Sequence, residues 1–500
     1  MIRVGNVLRV HANDNVVIAA SSLKKGAIIE DQNQKITLLS DIPMGHKIAT
    51  CDIKAGENVI RYGNPIGHAV EDIPQGQYVH THNIKTNLSD IIEYHYQPNF
   101  NPIEVKGDMP TFEGYRRPDG RVGIRNEIWV IPTVFCANGP VQKIVELANQ
   151  KYPRTENFDG FYALTHPNGC SQMDQDLLNT QRILANLAKH PNAGGVLLVS
   201  LGCEVNNLDA FLPVLGKFDS QRIKSMICQE EEDEIVTGMG LIDELYAYAA
   251  SFKRETRPLS DLILAVNCGG SDGFSGITAN AVVGRVTDII TGFEGTVIMT
   301  EVPEMFGAEH ILMNRAANEE VFRKLVDMIN DYKQYFKKYD QVIYDNPTQG
   351  NKAGGISTLE EKSLGCTQKG GQAIVTDVLK YGETIKAKGF NLISGPGNDL
   401  VGITNQEAAG AVVTVFTTGR GTPAGFAVPL IRVGSNNAVS NRKNNWIDYN
   451  AGALLEGKDL DQAAQELLAL ILDVASGKKQ SLAEANGYRQ IGMLRDGVTN

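Results

Sequence analysis

Leu262-Ile263-Leu264-Ala265-Val266 carries no charge and runs through Asn267 into Cys268-Gly269-Gly270-Ser271-Asp272-Gly273. An apolar run of this length has the size of a buried strand, and the glycines behind it end the strand in a loop. The scheme recurs upstream. Glu127-Ile128-Trp129-Val130-Ile131 leads to Cys136-Ala137-Asn138-Gly139, and Gly160-Phe161-Tyr162-Ala163-Leu164 leads to His166-Pro167-Asn168-Gly169-Cys170. Val196-Leu197-Leu198-Val199-Ser200-Leu201 leads to Gly202-Cys203-Glu204. Downstream, Val297-Ile298-Met299-Thr300 leads to Glu301 and Glu304. Two later runs end in Gly395-Pro396-Gly397-Asn398-Asp399 and Thr417-Thr418-Gly419-Arg420-Gly421-Thr422-Pro423. Continuous apolar strands alternating with helices predict parallel sheets covered by helices, an α/β body.

The chain outside this pattern divides differently. Residues 1–88 hold short β-prone runs, Val7-Leu8-Arg9-Val10, Val16-Val17-Ile18-Ala19, Ile48-Ala49-Thr50-Cys51 and Tyr78-Val79, separated by Gly-centred turns. They predict a small β domain. Residues 89–122 shift to Tyr, Pro, Asn and scattered charge, which predicts an inter-domain linker. The α/β body then splits into units at 123–255 and 256–500, with the stretch around 253–260 as divider. Three domains suit 500 residues at about 150 per domain.

Composition removes several function classes. The formal net charge is −11 and no long basic block occurs, so neither a nucleic-acid groove nor an anionic membrane surface is expected as partner. No apolar stretch approaches the length of a membrane span, and the first residues lack an apolar signal core. The expected location is cytoplasmic. A homo-oligomer is compatible with this composition. Seven scattered cysteines are no disulfide framework. The default for each is a small buried thiol, most clearly for Cys51 and Cys228 inside apolar or strand-like segments.

Open parallel sheets bind ligands outside the carboxyl ends of their strands. Cys170, Cys203 and Cys268 follow three of the predicted strands, with Cys136 after a fourth. Thiolates from separate loops meeting at one edge can hold a soft metal or an iron–sulfur cluster; the alternative is buried thiols. Glu301 and Glu304 are candidates for a general base or a metal ligand, against the plainer reading of a helix cap and an ion pair. Thr417–Pro423 offers backbone N–H groups and the Arg420 guanidinium, a cradle for a substrate carboxylate. The chain has no GxxxxGK[ST], no GxGxxG after a strand and no HExxH. Five of the nine histidines lie in the first domain: His11, His46, His68, His80 and His82. In a strand, His80 and His82 share one face and can bind a divalent metal.

Longer motifs carry a resemblance. His11-Ala12-Asn13-Asp14-Asn15-Val16, Gly45-His46-Lys47 and Arg61-Tyr62-Gly63-Asn64-Pro65-Ile66-Gly67 resemble the small β-clip module called SAF. Gly114-Tyr115-Arg116-Arg117-Pro118-Asp119-Gly120, Cys268–Gly273, Asn346-Pro347-Thr348-Gln349-Gly350-Asn351-Lys352-Ala353-Gly354-Gly355 and Thr418–Pro423 resemble the altronate and galactarate dehydratase family, over nearly the whole chain. His80-Thr81-His82-Asn83 and Glu304-Met305-Phe306-Gly307-Ala308-Glu309 look closest to its altronate branch. The resemblance implies dehydration of D-altronate to 2-dehydro-3-deoxy-D-gluconate in hexuronate catabolism, with ferrous iron. A related aldarate such as galactarate, or sugar-acid binding without turnover, is the alternative. Glu301, Glu304 and His166 are then the candidate proton-transfer groups. Ser271, Asp272, Lys352, Arg420 and Thr422 are the expected substrate contacts. Two metal placements compete. Cys170, Cys203 and Cys268 can hold a [4Fe–4S] cluster whose fourth iron stays open to substrate. A mononuclear ferrous or other divalent site can use Glu301, Glu304 or the histidines His11, His46, His80 and His82.

Overall fold

The structure is a computed structural model that describes residues 2–88 and 90–497. The N-terminal domain is antiparallel. Strands Ile2–Val4, Val7–Arg9, Val16–Ala19, Lys47–Ala49 and Tyr78–Val79 form one sheet in that order. Ile84–Lys85, Asn64–Ala69 and Asn58–Arg61 form a second, and Ile28–Asp31 pairs with Gln34–Thr37. This is the small β domain with the SAF-like pattern. Its core is not closed on itself: Val16, Val59, Ile66 and Ile84 pack with Ala308 and Leu364 of the body.

Two expectations about thiols give way here. The strand through Ile48 stops at Ala49, so Cys51 emerges on the following turn and is exposed. Cys228 opens a short 3-10 turn after its strand and is only half-buried.

Residues 90–110 contain no helix or strand, yet the segment is pinned to the body. The Tyr96 hydroxyl donates to the Ala316 carbonyl at 2.9 Å, and Lys333 donates to the Tyr94 hydroxyl at 2.9 Å. Linker character ends before residue 122, because Thr111–Arg116 is a strand. It pairs antiparallel with Glu255–Pro258, the stretch expected to be only a divider. Alternation explains the strand: Phe112 points into the core while Thr111 and Glu113 face outward or sideways.

The first body sheet contains β1 (Glu127–Pro132), β2 (Gly160–Ala163), β3 (Ala193–Ser200) and β4 (Ile223–Ile227), all parallel, in the order β2-β1-β3-β4. Helices α1 (Asn138–Lys151), α2 (Asp174–Ala188) and α3 (Leu208–Leu215) follow the first three strands. The second sheet contains β5 (Ile263–Cys268), β6 (Thr296–Met299), β7 (Val375–Leu379), β8 (Gly389–Ile393), β9 (Val413–Thr418), β10 (Leu430–Gly434) and β11 (Tyr449–Asn450). Its order is β7-β8-β6-β5-β9-β10-β11, with every pair parallel. Every residue of β1, β3 and β9 is buried, as strands covered on both faces must be.

One buried carboxylate fastens the N-terminal domain to the second sheet. Glu361, on helix α4 (Leu359–Cys366), accepts from Lys47 at 2.8 Å and from the Arg61 guanidinium, and also from the Ser357 backbone and hydroxyl at 2.7 Å each. Lys47 and Arg61 go on to donate to the carbonyls of Gly355 and Gly273, at 2.7 and 2.6 Å. Backbone crosses backbone here: a Cβ on Gly273 or Gly355 would lie 2.1 or 2.3 Å from the Gly45 carbonyl oxygen. Burial alone would raise the Glu361 carboxyl, but Lys47 and Arg61 outweigh it and draw it down to about 2. Because the folded value is depressed, this contribution is complete above the ordinary glutamate range and is lost as pH falls toward 2. Glu361→Ala leaves two buried cations without their partner and is expected to cost about 3–5 kcal/mol. Thermal unfolding at neutral pH measures this, and the difference from wild type should shrink as the buffer is taken from pH 5 toward pH 2–3.

Candidate active site

The chain leaves β5 for β6 on one side and later returns to β9 on the other. That reversal opens a crevice at the carboxyl ends of these three strands, the place where open α/β sheets bind ligands. Cys268 ends β5, and Glu301 and Glu304 follow β6 on a short 3-10 turn. Cys366 closes helix α4, and its Sγ lies 3.0 Å from that of Cys268; both are free thiols. Glu304 Oε2 lies 2.9 Å from the Cys366 sulfur and 3.6 Å from that of Cys268. Glu301 accepts from the Cys268 backbone N–H at 3.2 Å. Among the described residues, Cys268, Glu301, Glu304 and Cys366 bring their ligand atoms within 4.8 Å of one another, a group able to hold a metal ion.

Two lysines balance the carboxylates. Lys369 is 2.6 Å from Glu301, and Lys362 is 2.7 Å from Glu304. Both cations are buried, and their ammonium groups are held protonated above the ordinary lysine range. Burial and the neighbouring Cys268 push the Glu301 carboxyl well up. For Glu304, the two lysines outweigh burial and hold the carboxyl down. The contact with Cys366, helped by Lys369, brings the Cys268 thiol down to about 6, while Cys366 is pushed well up. Glu301 also has φ 72°, a left-handed conformation that a glutamate rarely adopts. Strain of this kind gathers at sites that need a side chain aimed in one direction.

The group is buried, and an exposed loop covers one side of it. Glu304 Oε1 lies beneath the exposed Gly397: a Cβ there would be 3.5 Å from the carboxylate oxygen. Asp399, two residues on, is half-buried at the start of helix α5 (Asp399–Ala408). Burial, followed by Glu304 and Cys268, lifts its carboxyl to about 7. Several of the expected substrate contacts are accessible on neighbouring loops. Arg420 is exposed and donates to the Gly350 carbonyl at 3.3 Å, and Lys352 and Thr422 are half-buried in neighbouring turns. Asp272 is committed to structure: its two oxygens accept from Ser275, Ser435 and Asn436 at 2.8 to 2.9 Å. Ser271 is buried, with its carbonyl taken by Asn351 at 2.9 Å.

The histidines divide. His80 and His82 lie on a turn, not a strand, yet both ring planes meet Tyr78, with centroids 5.6 and 5.3 Å away. His46 joins them, 5.0 Å from His80, and its Nε2 lies 3.3 Å from the Ala353 carbonyl beside Lys352. His11 belongs elsewhere, packed against Gly63. His166 is buried in the first sheet's loops, with Nε2 2.7 Å from the Pro132 carbonyl, and burial lowers its pKa to about 4. Cys170 and Cys203 are exposed on the loops after β2 and β3, whereas Cys268 is buried in the second sheet beside Cys366.

Sequence reasoning missed Lys362, Cys366, Lys369 and Asp399 as site residues. A signal existed: positions 362, 366 and 369 are spaced by four and three, which places them on one helical face. In metal-free native protein, alkylation followed by peptide mass spectrometry should label Cys51, Cys136, Cys170 and Cys203 first, because they are exposed. Cys228, whose thiol burial raises to about 11, should react slowly, and buried Cys268 and Cys366 only on unfolding.

Family models match three consecutive stretches: the altronate/galactarate dehydratase SAF domain over residues 5–87, the D-galactarate dehydratase/altronate hydrolase second domain over 114–250, and the D-galactarate/altronate dehydratase C-terminal domain over 259–499. An altronate dehydratase of Escherichia coli is 46% identical over 98% of this chain and 99% of its own length. One from Bacillus subtilis is 47% identical over the same shares. The galactarate dehydratase (L-threo-forming) of Escherichia coli is 34% identical over 96% of this chain and 94% of its own. With relatives matched end to end and all three regions accounted for, the chain belongs to the altronate/galactarate dehydratase family of hydro-lyases.

Proposed function

We propose that this enzyme removes water from D-altronate and releases 2-dehydro-3-deoxy-D-gluconate. The observation that carries the substrate is the higher similarity, across almost the full chain, to two altronate dehydratases than to the galactarate enzyme. The reaction itself sets demands that the second-sheet site is equipped to meet. The hydrogen α to a carboxylate is weakly acidic and a secondary hydroxyl leaves poorly, so a base, an acid and a stabiliser of developing charge are all needed.

Carboxyls whose surroundings drive them apart mark the base and the acid. Glu304 is held ionised by Lys362 and Lys369, and its Oε1, which Lys362 contacts at 2.7 Å, lies beneath the exposed Gly397. It takes the α proton. Asp399, lifted to about 7 and half-buried two residues beyond Gly397, gives a proton to the departing hydroxyl. Arg420 and Lys352 hold the substrate carboxylate by charge-assisted hydrogen bonds. With no metal bound, Lys362 and Lys369 balance ionised Glu304 and the low-lying Cys268 thiol, while Glu301 keeps its proton.

Two thiols and two carboxylates form a donor set suited to ferrous iron or another divalent ion of intermediate softness. Cys268, Cys366, Glu301 and Glu304 Oε2 would hold it, and when bound it would withdraw charge from the substrate's carboxylate and hydroxyl. The seven free cysteines suit a reducing compartment, and we place the enzyme in the cytoplasm.

Anaerobic assay of iron-loaded protein should yield a 2-keto acid from D-altronate and far less from galactarate. The reverse ranking would overturn the substrate while leaving the dehydratase chemistry. Glu304→Gln and Asp399→Asn should each lower kcat by about 10²–10⁴ without loss of fold. Wild-type kcat in either variant removes that residue from the proton path.

A further inference from the structure

We propose that Cys136, Cys170 and Cys203 are a second metal site: three thiolates that hold a [4Fe–4S] cluster at the carboxyl edge of the first sheet and leave its fourth iron open. The topology makes the first argument. The chain passes from β1 to β2 on one side and then to β3 on the other, so this sheet has its own reversal point between β1 and β3. Pro132 and Val199 are register partners there, and Cys136 and Cys203 each lie four residues beyond them. Cys170 follows β2, the strand on the other flank of β1.

The three loops are tied into one surface. Phe135 N–H donates to the Asn168 carbonyl at 2.9 Å, and Asn206 N–H donates to that of Gly169 at 3.2 Å. The Asn206 side chain donates to the Thr133 carbonyl at 2.8 Å, while the Thr133 hydroxyl donates to Glu204 at 2.6 Å. Gly169 is pressed onto this seam: a Cβ would lie 2.1 Å from the Thr133 carbonyl oxygen. Glu204, Asn168, Asn206 and His166 are all buried, and yet the three thiols among them are exposed. Packing interest alone would bury a cysteine in such a place.

Further observations point to a ligand. The side-chain oxygens of Asn168 and Asn206 are buried with no hydrogen-bond partner, which leaves acceptors for a water or hydroxyl group brought by an occupant. Ser171 and Asp174, just after Cys170, have φ of 56° and 44°, the left-handed region that costs a non-glycine residue energy. Helices α1, α2 and α3 begin at Asn138, Asp174 and Leu208, within about five residues of the three cysteines, so each loop runs into a helix N-terminus. Phe135, Met173 and Val205, all large and exposed, rim the thiols with apolar surface.

The nature of the occupant follows from the donors. The loops after three different strands each supply one thiol. A cubane cluster takes each thiolate on a different iron, so its ligands can come from separate loops without crowding one ion. Each thiol gives up its proton and forms one sulfur–iron bond; three bonds leave one iron of four for an oxygen ligand. Cys268, the third thiol expected from the sequence, pairs with Cys366 instead.

The test uses the full chain, reconstituted anaerobically with iron and sulfide, and its readouts do not depend on which sugar acid is turned over. Wild type should take up about four irons and four sulfides beyond the ion held at Cys268 and Cys366, and show visible charge-transfer absorbance and a cubane Mössbauer spectrum. Cys136→Ser, Cys170→Ser and Cys203→Ser should each lose the absorbance and most of the iron, while Cys268→Ser and Cys366→Ser keep the absorbance. Loading should also shield Cys136, Cys170 and Cys203 from alkylation but leave Cys51 reactive, which needs no variant to fold. Uptake of one iron or fewer by wild type, a retained cluster in any of the first three variants, or unshielded thiols in loaded protein would overturn the proposal.

Discussion

The Glu361 carboxylate is the interaction on which the site's shape depends. It is buried between Lys47 and Arg61 of the β domain, and those two cations reach past it to the carbonyls of Gly355 and Gly273. Gly273 ends the loop that begins at Cys268, and Gly355 ends the turn that carries Lys352. A single ion cluster therefore sets the distance between the N-terminal domain and two loops of the second sheet. Buried ion pairs rarely add stability over apolar packing, because desolvation offsets most of the attraction. What this one supplies is position: beside it, His46 Nε2 sits 3.3 Å from the Ala353 carbonyl.

The same electrostatic logic governs the interior of the site. Glu301, Glu304 and a low-lying Cys268 would repel one another if all were charged with nothing opposite them. Lys362 and Lys369 answer this with two ammonium groups held by contacts of 2.7 and 2.6 Å. The result is a set of acids ordered by their neighbours, from ionised Glu304 through Asp399 near 7 to protonated Glu301. Neutrality overall and inequality within are what proton transfer at a fixed pH requires.

Much of this order was legible in the amino-acid chain. Strands such as 193–200 and 263–268 are apolar without interruption, and covered parallel strands tolerate nothing else. Glu301 and Glu304 could be placed because they follow one of these runs directly. Cys366 could not be joined to Cys268 in advance: 98 residues separate them, and only the packing of helix α4 against the turn after β6 brings the sulfurs together. The strand at 111–116 hid for a different reason. Its partner, 255–258, lies on the far side of an entire α/β unit, so neither half shows a hairpin signal. His80 and His82 show that a right neighbourhood can arise by another route, since a turn rather than strand alternation gathers them on Tyr78.

The two sheets use one topological device with opposite surroundings. Each reverses strand order, and each collects thiols at the carboxyl ends beside the reversal. In the second sheet the thiols are buried, share protons with carboxylates and are matched by lysines, so their charge is controlled from within. In the first sheet the thiols are exposed, the buried carboxylate Glu204 is spent on Thr133, Ser200 and the Leu201 and Gly202 N–H groups, and the loops around them are held rigid by hydrogen bonds. A rigid frame that keeps its sulfurs exposed and holds two buried amide oxygens without partners is built for something brought from outside. That difference separates an internal acid–base relay from a receiving edge.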